Sequence, residues 1–488
     1  MRERTLETLE FTKALELVAA QASFSVGRER LLALRPVTGL AAAEALQQET
    51  ADALTLLEER PRAGVGGARD VREPAQRAAR GGVLNPEQLG QVLRTLRSIG
   101  EVRHLLEGLD PERMATLHQL EGRLPDLDEL ARRLERLIDD EGRVRDSASP
   151  RLARARSTLA QQAARLQERL RTLVSEHRTA LQEPIVTMRG GRYVIPVRAE
   201  AQSQVRGIVH DQSASGATVY IEPLAIVEQN NRLRRLEAEV RDEIDRLLRV
   251  ASDDVGQHQD AITEGVETLG ELDARLARAR SAVGWSAARP RLNRERRIVL
   301  KGARHPLLGP GVVPIDFNLD EQQFMVVVTG PNTGGKTVAL KTVGLLTLLA
   351  QSGLHIPVEP GSEVAVVDEV FCDIGDEQSI EQSLSTFSSH MTRIIEVLRV
   401  IETQRRALGG PPPVLVLFDE LGAGTDPSEG SALARSILTW LLDRQISTVA
   451  TTHYSELKAF AHNREDIENA SVEFDLNTLS PTYRLRIG

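Results

Sequence analysis

The feature that most constrains the fold of this chain is an eight-residue segment between a short apolar run and a helix-forming run. The segment, here called the phosphate loop, fits the pattern G-x-x-x-x-G-K-[ST] and reads Gly330-Pro331-Asn332-Thr333-Gly334-Gly335-Lys336-Thr337. Residues 324–328 before it have the composition of a buried strand, and residues 338–351 after it have helical periodicity. Backbone N–H groups at a helix N-terminus attract phosphate, so the sequence predicts a site for ATP. In that site Lys336 contacts the β- and γ-phosphates, and the Thr337 hydroxyl binds Mg²⁺.

A lysine in the phosphate loop is informative because this chain places arginine at almost every basic position. Lys336 is one of five lysines, whereas Lys and Arg together number 61. Phosphate binding in such a loop needs a compact charge on a flexible stem, and a planar guanidinium has the wrong shape. The use of lysine at position 336, against this preference for arginine, supports the prediction of a nucleotide site.

Three further signals occur in the order typical of an ABC-type ATPase. Ser385 lies at the start of a helical run, where hydroxyl and amide groups bind anions. The acidic pair Asp419 and Glu420 ends the apolar run 414–418; Asp419 is predicted to bind Mg²⁺, and Glu420 to position the attacking water. His453 follows the next apolar run and is predicted to donate to the γ-phosphate. Each signal alone is weak, but their order is specific, and it gives a catalytic set of Glu420, His453 and Ser385.

The chain divides into a helical part and an α/β part. Residues 1–290 are rich in helix formers, and one run has a heptad seam of Leu152, Leu159, Leu166 and Leu173. Between two long helical runs, residues 184–221 have strand-like sequence with a hairpin that turns at Gly190-Gly191. From about residue 297, a largely parallel sheet covered by helices is predicted from four apolar runs at 324–328, 364–367, 414–418 and 446–450.

The C-terminal part resembles the ATPase domain of the MutS family, and the whole chain resembles the second bacterial branch of that family, which carries an Smr nuclease domain. The family resemblance rests on Arg304-His305-Pro306, the phosphate loop, Ser385-Thr386-Phe387, the segment from Asp419 to Thr425, and Thr452-His453-Tyr454. The resemblance to the second branch rests on Gly375 to Ser379, Ser385 to Met391, Thr425-Asp426-Pro427, His210 to Thr218, and Leu6 to Phe11.

The resemblance implies a multidomain fold class, with a mostly α-helical core and lever and a small β clamp, followed by an α/β ABC-type P-loop ATPase domain. The expected segments are a helical core at 1–150, a lever helix at 151–183, a β clamp module at 184–223, a returning lever helix and core at 224–295, and the ATPase domain at 296–488. It also implies a homodimer with composite ATP sites, in which Ser385 approaches the γ-phosphate bound by the other subunit.

Two features depart from the family pattern. The mismatch-repair branch reads mispairs with Phe-x-Glu, and the only such string here is Phe418-Asp419-Glu420, inside the acidic strand end. No segment resembles the Smr domain, and the sequence stops in strand-like residues from Arg484 to Gly488. We therefore expect a C-terminally truncated member of the family without the endonuclease activity, and mismatch sensing is the poorest of the functional interpretations.

Composition and charge limit where the chain acts and what it binds. No run of about 18 apolar residues and no signal peptide occur, so we expect a cytoplasmic protein without membrane contact. The formal net charge of −9 argues against a general coat on nucleic acid. The strand-like module is nevertheless locally basic, and its candidate phosphate contacts are Arg189, Arg192, Arg198 and Arg206.

The favoured function is an ATP-hydrolysing dimeric clamp. The resemblance implies that such a clamp binds branched or double-stranded DNA and suppresses recombination, or acts on ribosomes and their rRNA. Arginines on a helix or strand are as often merely solvated as bound to phosphate. The alternative is therefore a scaffold ATPase whose ATP-driven dimerisation recruits protein partners.

Overall fold

The computed structural model describes residues 1–309, 311–330, 335–375, 383–423, 425–475 and 480–488. The chain forms two compact units. The first unit comprises Met1–Gly66, Glu101–Leu124 and Glu267–Gly488, and the second comprises Gly67–Gly100 and Pro125–Val266. No helix in the described part is both long and apolar enough to cross a membrane.

Helices dominate the chain before residue 290, as the sequence predicts. The α-helices of the described residues are α1 Glu3–Thr8, α2 Phe11–Ala19, α3 Ser25–Leu32, α4 Leu40–Glu59, α5 Arg72–Ala79, α6 Pro86–Glu107, α7 Ala115–Glu121, α8 Asp128–Leu137, α9 Pro150–Glu176, α10 Val227–Gln257, α11 Gln259–Gly284, α12 Lys336–Gln351, α13 Ser383–Leu408, α14 Pro427–Leu442 and α15 Ser455–His462.

The strands of the described residues form three sheets. They are β1 Thr187–Arg189, β2 Arg192–Arg198, β3 Gly207–Gln212, β4 Thr218–Pro223, β5 Arg291–Asn293, β6 Ile298–Ala303, β7 Ile315–Leu319, β8 Met325–Thr329, β9 Glu363–Ala365, β10 Glu369–Asp373, β11 Val414–Phe418, β12 Ser447–Thr452, β13 Ile467–Asp475 and β14 Ser480–Ile487.

The main sheet of the first unit has the order β10-β11-β12-β8-β13-β14. Its first five strands are parallel neighbours, and only β14 runs antiparallel, against β13. Strands β8 and β11 are buried along their whole length and are apolar apart from Thr329, because both of their faces are covered. The prediction of an α/β part with a largely parallel sheet is confirmed.

One predicted strand lies in a different sheet. The apolar run 364–367 contributes β9 to a four-stranded sheet of order β5-β9-β6-β7 and takes no part in the main sheet. There β9 pairs in parallel with β5 and antiparallel with β6. An apolar run indicates a buried strand but does not specify which strand it pairs with. The edge strand of the main sheet is instead β10, which begins four residues after β9 and pairs with β11.

The N-terminal helices belong to the core of the first unit. Leu9 is fully buried and lies against Gly344 of α12, where an added Cβ would stand 2.9 Å from a Leu9 methyl carbon. The Thr5 hydroxyl donates to the carbonyl oxygen of Val370 in β10 at 2.9 Å. The first helices of the chain therefore pack directly on the main sheet and on α12.

In the second unit, α9 and α10 run antiparallel. Ser149 caps α9 by accepting from the N–H of Leu152, and its hydroxyl donates to Glu243 in the middle of α10. Leu170 and Leu173 near the end of α9 share a hydrophobic cluster with Leu233 near the start of α10. The sheet of order β1-β2-β4-β3 occupies the segment between these two helices, and its first hairpin turns at Gly190-Gly191 as predicted.

Candidate nucleotide-binding site

The candidate site lies where neighbouring parallel strands of the main sheet end. Thr329, the last residue of β8, pairs with Thr452, the last residue of β12. Phe418, the last residue of β11, pairs with Ala450. The residues that follow β8, β11 and β12 are thereby brought together at the C-terminal ends of these strands. Parallel sheets usually bind their ligands at this end.

The two ends of the phosphate loop have the backbone conformations that such a loop needs. Gly330 and Gly335 have φ values of 137° and 92°, which favour glycine. Pro331, Asn332, Thr333 and Gly334 lie outside the described residues. Lys336 follows as the first residue of α12, so the loop leads directly to a helix N-terminus.

Lys336 is buried, with only 1% of its surface exposed. Its Nζ donates to the carbonyl oxygen of Gly330 at 2.7 Å and to that of Thr452 at 3.4 Å. Burial lowers the pKa of Lys336, and the nearby carboxylates of Glu420 and Asp419 act in the opposite direction. The site therefore holds its lysine Nζ beside the point where the loop leaves β8.

A chain of hydrogen bonds connects the start of α12 with the acidic strand end. The Thr337 hydroxyl donates to Asp419 Oδ2 at 2.7 Å, and the Thr451 hydroxyl donates to Asp419 Oδ1. Thr451 Oγ1 also accepts from the backbone N–H of Glu420 at 2.8 Å. Glu420 has a φ of 47°, in the left-handed region that non-glycine residues rarely adopt.

Thr451 is the site residue that the sequence alone does not identify. Its position in the string Thr451-Thr452-His453 was the available signal, but hydroxyls inside a strand have no motif of their own. In the structure Thr451 holds both members of the acidic pair, and its carbonyl oxygen accepts from the N–H of Leu421. It fixes the unusual backbone turn after β11.

His453 and Ser385 lie on two different elements of the first unit. His453 is exposed directly after β12, and its ring lies 4.3 Å from that of Tyr454. The Tyr454 hydroxyl donates to the carbonyl oxygen of Gly422 at 2.8 Å, which fixes the turn after the acidic pair. Helix α13 begins at Ser383, so Ser385 lies inside its first turn and not at the cap; the Ser385 side chain lies outside the described part.

An apolar cavity of about 360 Å³ lies beside the phosphate loop. Its described lining includes His305, Val313, Gly335, Ala339 and Val472. Burial lowers the pKa of His305 to about 4, so its ring is neutral at pH 7. This wall coincides with the string Arg304-His305-Pro306, which was singled out in the sequence only for the family resemblance.

The basic sheet of the second unit places its four candidate arginines differently. Arg192 donates to both carboxylate oxygens of Glu222, at 2.8 and 3.0 Å, and Glu222 is fully buried. Arg189 stacks on the Tyr220 ring at 4.0 Å and pairs with Asp211. Arg192 therefore has a structural partner inside the sheet.

The other two arginines face water. Arg198 is 45% exposed, although its Nε donates to the carbonyl oxygen of Leu181. Arg206 is exposed and makes no side-chain hydrogen bond or ion pair within the residues that the structure describes. Sequence reasoning missed Arg234, whose guanidinium on α10 lies beside Gly191 in the hairpin turn.

Comparison with known proteins agrees with this fold and site. Residues 326–487 match the family model described as MutS domain V. Proteins named Endonuclease MutS2 align with 100% of this chain: that of Pelotomaculum thermopropionicum is 50% identical over 490 residues, that of Symbiobacterium thermophilum 47% over 489, and that of Brevibacillus brevis 46% over 492. The alignments cover 61%, 60% and 62% of those proteins, so the chain spans about three fifths of their length.

The phosphate loop after β8, the acidic pair after β11 and the match to domain V together define the class: the chain belongs to the MutS family. Within that family, identity along its whole length places it in the MutS2 branch.

Proposed function

We propose that this chain binds ATP with Mg²⁺ and hydrolyses it at the edge of the main sheet. The observation that carries the proposal is the chain of hydrogen bonds from Thr337 through Asp419 to Thr451, beside the buried Lys336. A hydroxyl and a carboxylate in direct contact supply the oxygen ligands that Mg²⁺ prefers, and Mg²⁺ usually takes only one or two protein ligands beside the substrate phosphates. The residues at this site therefore fit both ATP and Mg²⁺.

Each residue has a distinct role in this proposal. Lys336 contacts the β- and γ-phosphates, and Thr337 with Asp419 holds Mg²⁺, which neutralises charge on the phosphates. Glu420 orients the attacking water; it follows Asp419 directly, and its left-handed backbone conformation is of the kind found at functional sites. His453 donates to the γ-phosphate, and the apolar cavity beside Gly335 receives the adenine ring.

We infer further that two copies of the chain complete each other's sites. Ser385 lies in the first turn of α13, where backbone N–H groups remain without helical partners and attract anions. In a homodimer, Ser385 of one subunit approaches the γ-phosphate bound by the other subunit. ATP binding then closes the dimer.

For the second unit we propose contact with branched or double-stranded DNA, through which the protein suppresses recombination. The exposed Arg198 and Arg206 on the basic sheet support this role, because phosphate contacts need accessible guanidinium groups. Ribosomal RNA has the same backbone chemistry. A competition between a Holliday junction and ribosomes for one dimer preparation at fixed salt decides between them, and preference for the ribosome would reassign the substrate.

The test of the ATPase uses two variants with matched controls. Lys336→Ala abolishes tight ATP binding, whereas Lys341→Ala on the same helix retains it. Glu420→Gln retains ATP binding but slows hydrolysis, whereas Glu429→Gln, an exposed carboxylate on α14, hydrolyses ATP normally. Near-normal turnover by Glu420→Gln would refute the role given to Glu420.

A further inference from the structure

A polar cluster lies next to the candidate nucleotide site without belonging to it. Asp373 is the last residue of β10, and its backbone carbonyl oxygen accepts from the N–H of Asp419 at 2.9 Å. The Asp373 carboxylate is only 4% exposed; its Oδ2 lies 2.7 Å from His390 Nδ1, and its Oδ1 accepts from Arg393 Nη1 at 3.2 Å. His390 and Arg393 both belong to α13. These three residues are here called the Asp373 cluster.

The cluster joins two parts of the site that otherwise lie on separate elements. Through its backbone, Asp373 contacts the acidic strand end of the same subunit. Through its side chain, it holds α13, the helix whose first turn contains Ser385. The backbone of Gly375 lies against the His390 ring, and an added Cβ there would stand 2.8 Å from His390 Cε1. A larger residue at position 375 would displace the ring.

The cluster holds α13 against β10 close to the N-terminus of the helix. Among the described side chains of α13, His390 and Arg393 contact β10, and the buried apolar residues that follow them are Ile394, Val397 and Ile401. The buried Asp373 carboxylate accepts from two half-buried side chains, and its loss leaves both donors without this partner. The cluster therefore sets the direction in which α13 begins.

We propose that Asp373 is a positioning residue for ATP hydrolysis in the opposite subunit. It fixes the start of α13, so that Ser385 reaches the nucleotide bound by the other copy of the chain. The inference rests on the proposed function, and in particular on composite sites. A displacement of about 1 Å in a positioning group reduces turnover by as much as roughly 100-fold, while ATP affinity at the loop is retained.

Heterodimers purified with two affinity tags test the inference. One subunit carries Lys336→Ala and donates Ser385, and the other carries Ser385→Ala and donates the phosphate loop, so each dimer has one intact site. Adding Asp373→Asn to the serine-donating subunit lowers kcat about tenfold with an unchanged KM for ATP. The same substitution in the loop-donating subunit leaves kcat within about twofold.

Variants of Arg393 keep the test informative if Asp373→Asn folds poorly. In the serine-donating subunit, Arg393→Met lowers kcat and Arg393→Lys restores most of it, because lysine keeps the cation beside Asp373. Arg399→Met, an exposed arginine on the same helix, is the control and changes nothing.

The outcomes separate this inference from the proposed function. Loss of activity that is equal from either subunit, or no loss from either, would overturn the trans role of Asp373. A parent heterodimer that shows no activity above its inactive homodimers would instead refute the composite site, and the trans role with it.

Discussion

The candidate nucleotide site and the basic sheet hold their charges in opposite environments. Lys336 is 1% exposed, and the carboxylate of Asp419 accepts from two threonine hydroxyls. On the basic sheet, Arg198 is 45% exposed and Arg206 faces water. Buried charges interact strongly and are little screened, whereas exposed charges are screened by salt within about 10 Å. The first environment suits the proposed ATP hydrolysis, and the second suits the proposed salt-dependent association with nucleic acid.

The two units also differ in the pKa shifts of their buried side chains. In the first unit, burial lowers the pKa values of His305 and His355 to about 4. In the second unit, the hydrogen bond from Arg246 lowers the pKa of Glu243 to about 2. Neutral buried histidines and an ionised buried glutamate respond to acid in different pH ranges, which gives the first prediction.

Acidification has the largest expected effect, and we expect it in the first unit. A histidine whose pKa falls from 6.5 unfolded to about 4 folded contributes its full stability above pH 6.5 and loses it as the pH falls towards 4. At pH 5 the loss is about 2 kcal/mol for each histidine. Hydrogen exchange at pH 7.5 and at pH 5 measures this loss of stability. We expect reduced protection at pH 5 in the core around β6 and α12.

The second unit provides the internal comparison. The contribution of Glu243 is present above pH 4.5 and is lost only as the pH falls towards 2, so protection around α9 and α10 persists at pH 5. The double variant His305→Gln, His355→Gln removes the pH dependence from the first unit. Equal loss in both units at pH 5 would contradict the assignment to these two histidines.

The second prediction concerns the buried ion pair of the basic sheet. Arg192→Gln leaves the fully buried Glu222 with only His210 and Asn230, and we expect the free energy of unfolding of the second unit to fall by about 3 kcal/mol. Basal ATP turnover stays unchanged. Arg206→Gln is the matched control and has no effect on stability. Chemical denaturation monitored by hydrogen exchange measures both, and normal stability of Arg192→Gln would show that Arg192 is available for ligands.

These two regions also differ in how far the sequence predicts them. The phosphate loop, Asp419 and Glu420 follow from local patterns, because each lies directly after an apolar strand, and parallel strands end at the same edge. The pairing of β9 and the role of Thr451 depend on contacts distant in sequence, which periodicity does not encode. The direction of Arg192 depends on Glu222, thirty residues later. Local motifs therefore identify the chemistry, and only the fold identifies the positioning groups.

The third prediction tests Thr451, the residue that the fold adds to the site. Thr451→Val keeps the shape of the side chain but removes the hydroxyl that donates to Asp419 and accepts from the Glu420 N–H. We expect kcat to fall about thirtyfold, because both carboxylates lose a fixed position, while ATP still binds through Lys336. Thr451→Ser keeps the hydroxyl and most of the activity. Steady-state ATPase assays decide, and equal kcat values for the valine and serine variants would exclude this role.

The smallest expected effect is on the salt dependence of nucleic-acid binding. Arg198→Gln combined with Arg206→Gln removes two exposed guanidinium groups and only one hydrogen bond, from Arg198 to the Leu181 carbonyl oxygen, and breaks no ion pair to a buried carboxylate, so the second unit keeps most of its stability. Each phosphate contact contributes about 0.9 to the slope of log affinity against log salt, and we expect the double variant to flatten the slope by about two units. Binding weakens uniformly across sequences, because phosphate contacts do not read bases.

Arg132→Gln, which changes an exposed arginine on α8 of the same unit, is the control and leaves the slope unchanged. The measurement is a salt titration of Holliday-junction binding. A slope equal to that of the unaltered protein would mean that Arg198 and Arg206 remain solvated in the complex, and that the exposed arginines of α9, from Arg151 to Arg171, are the next candidates.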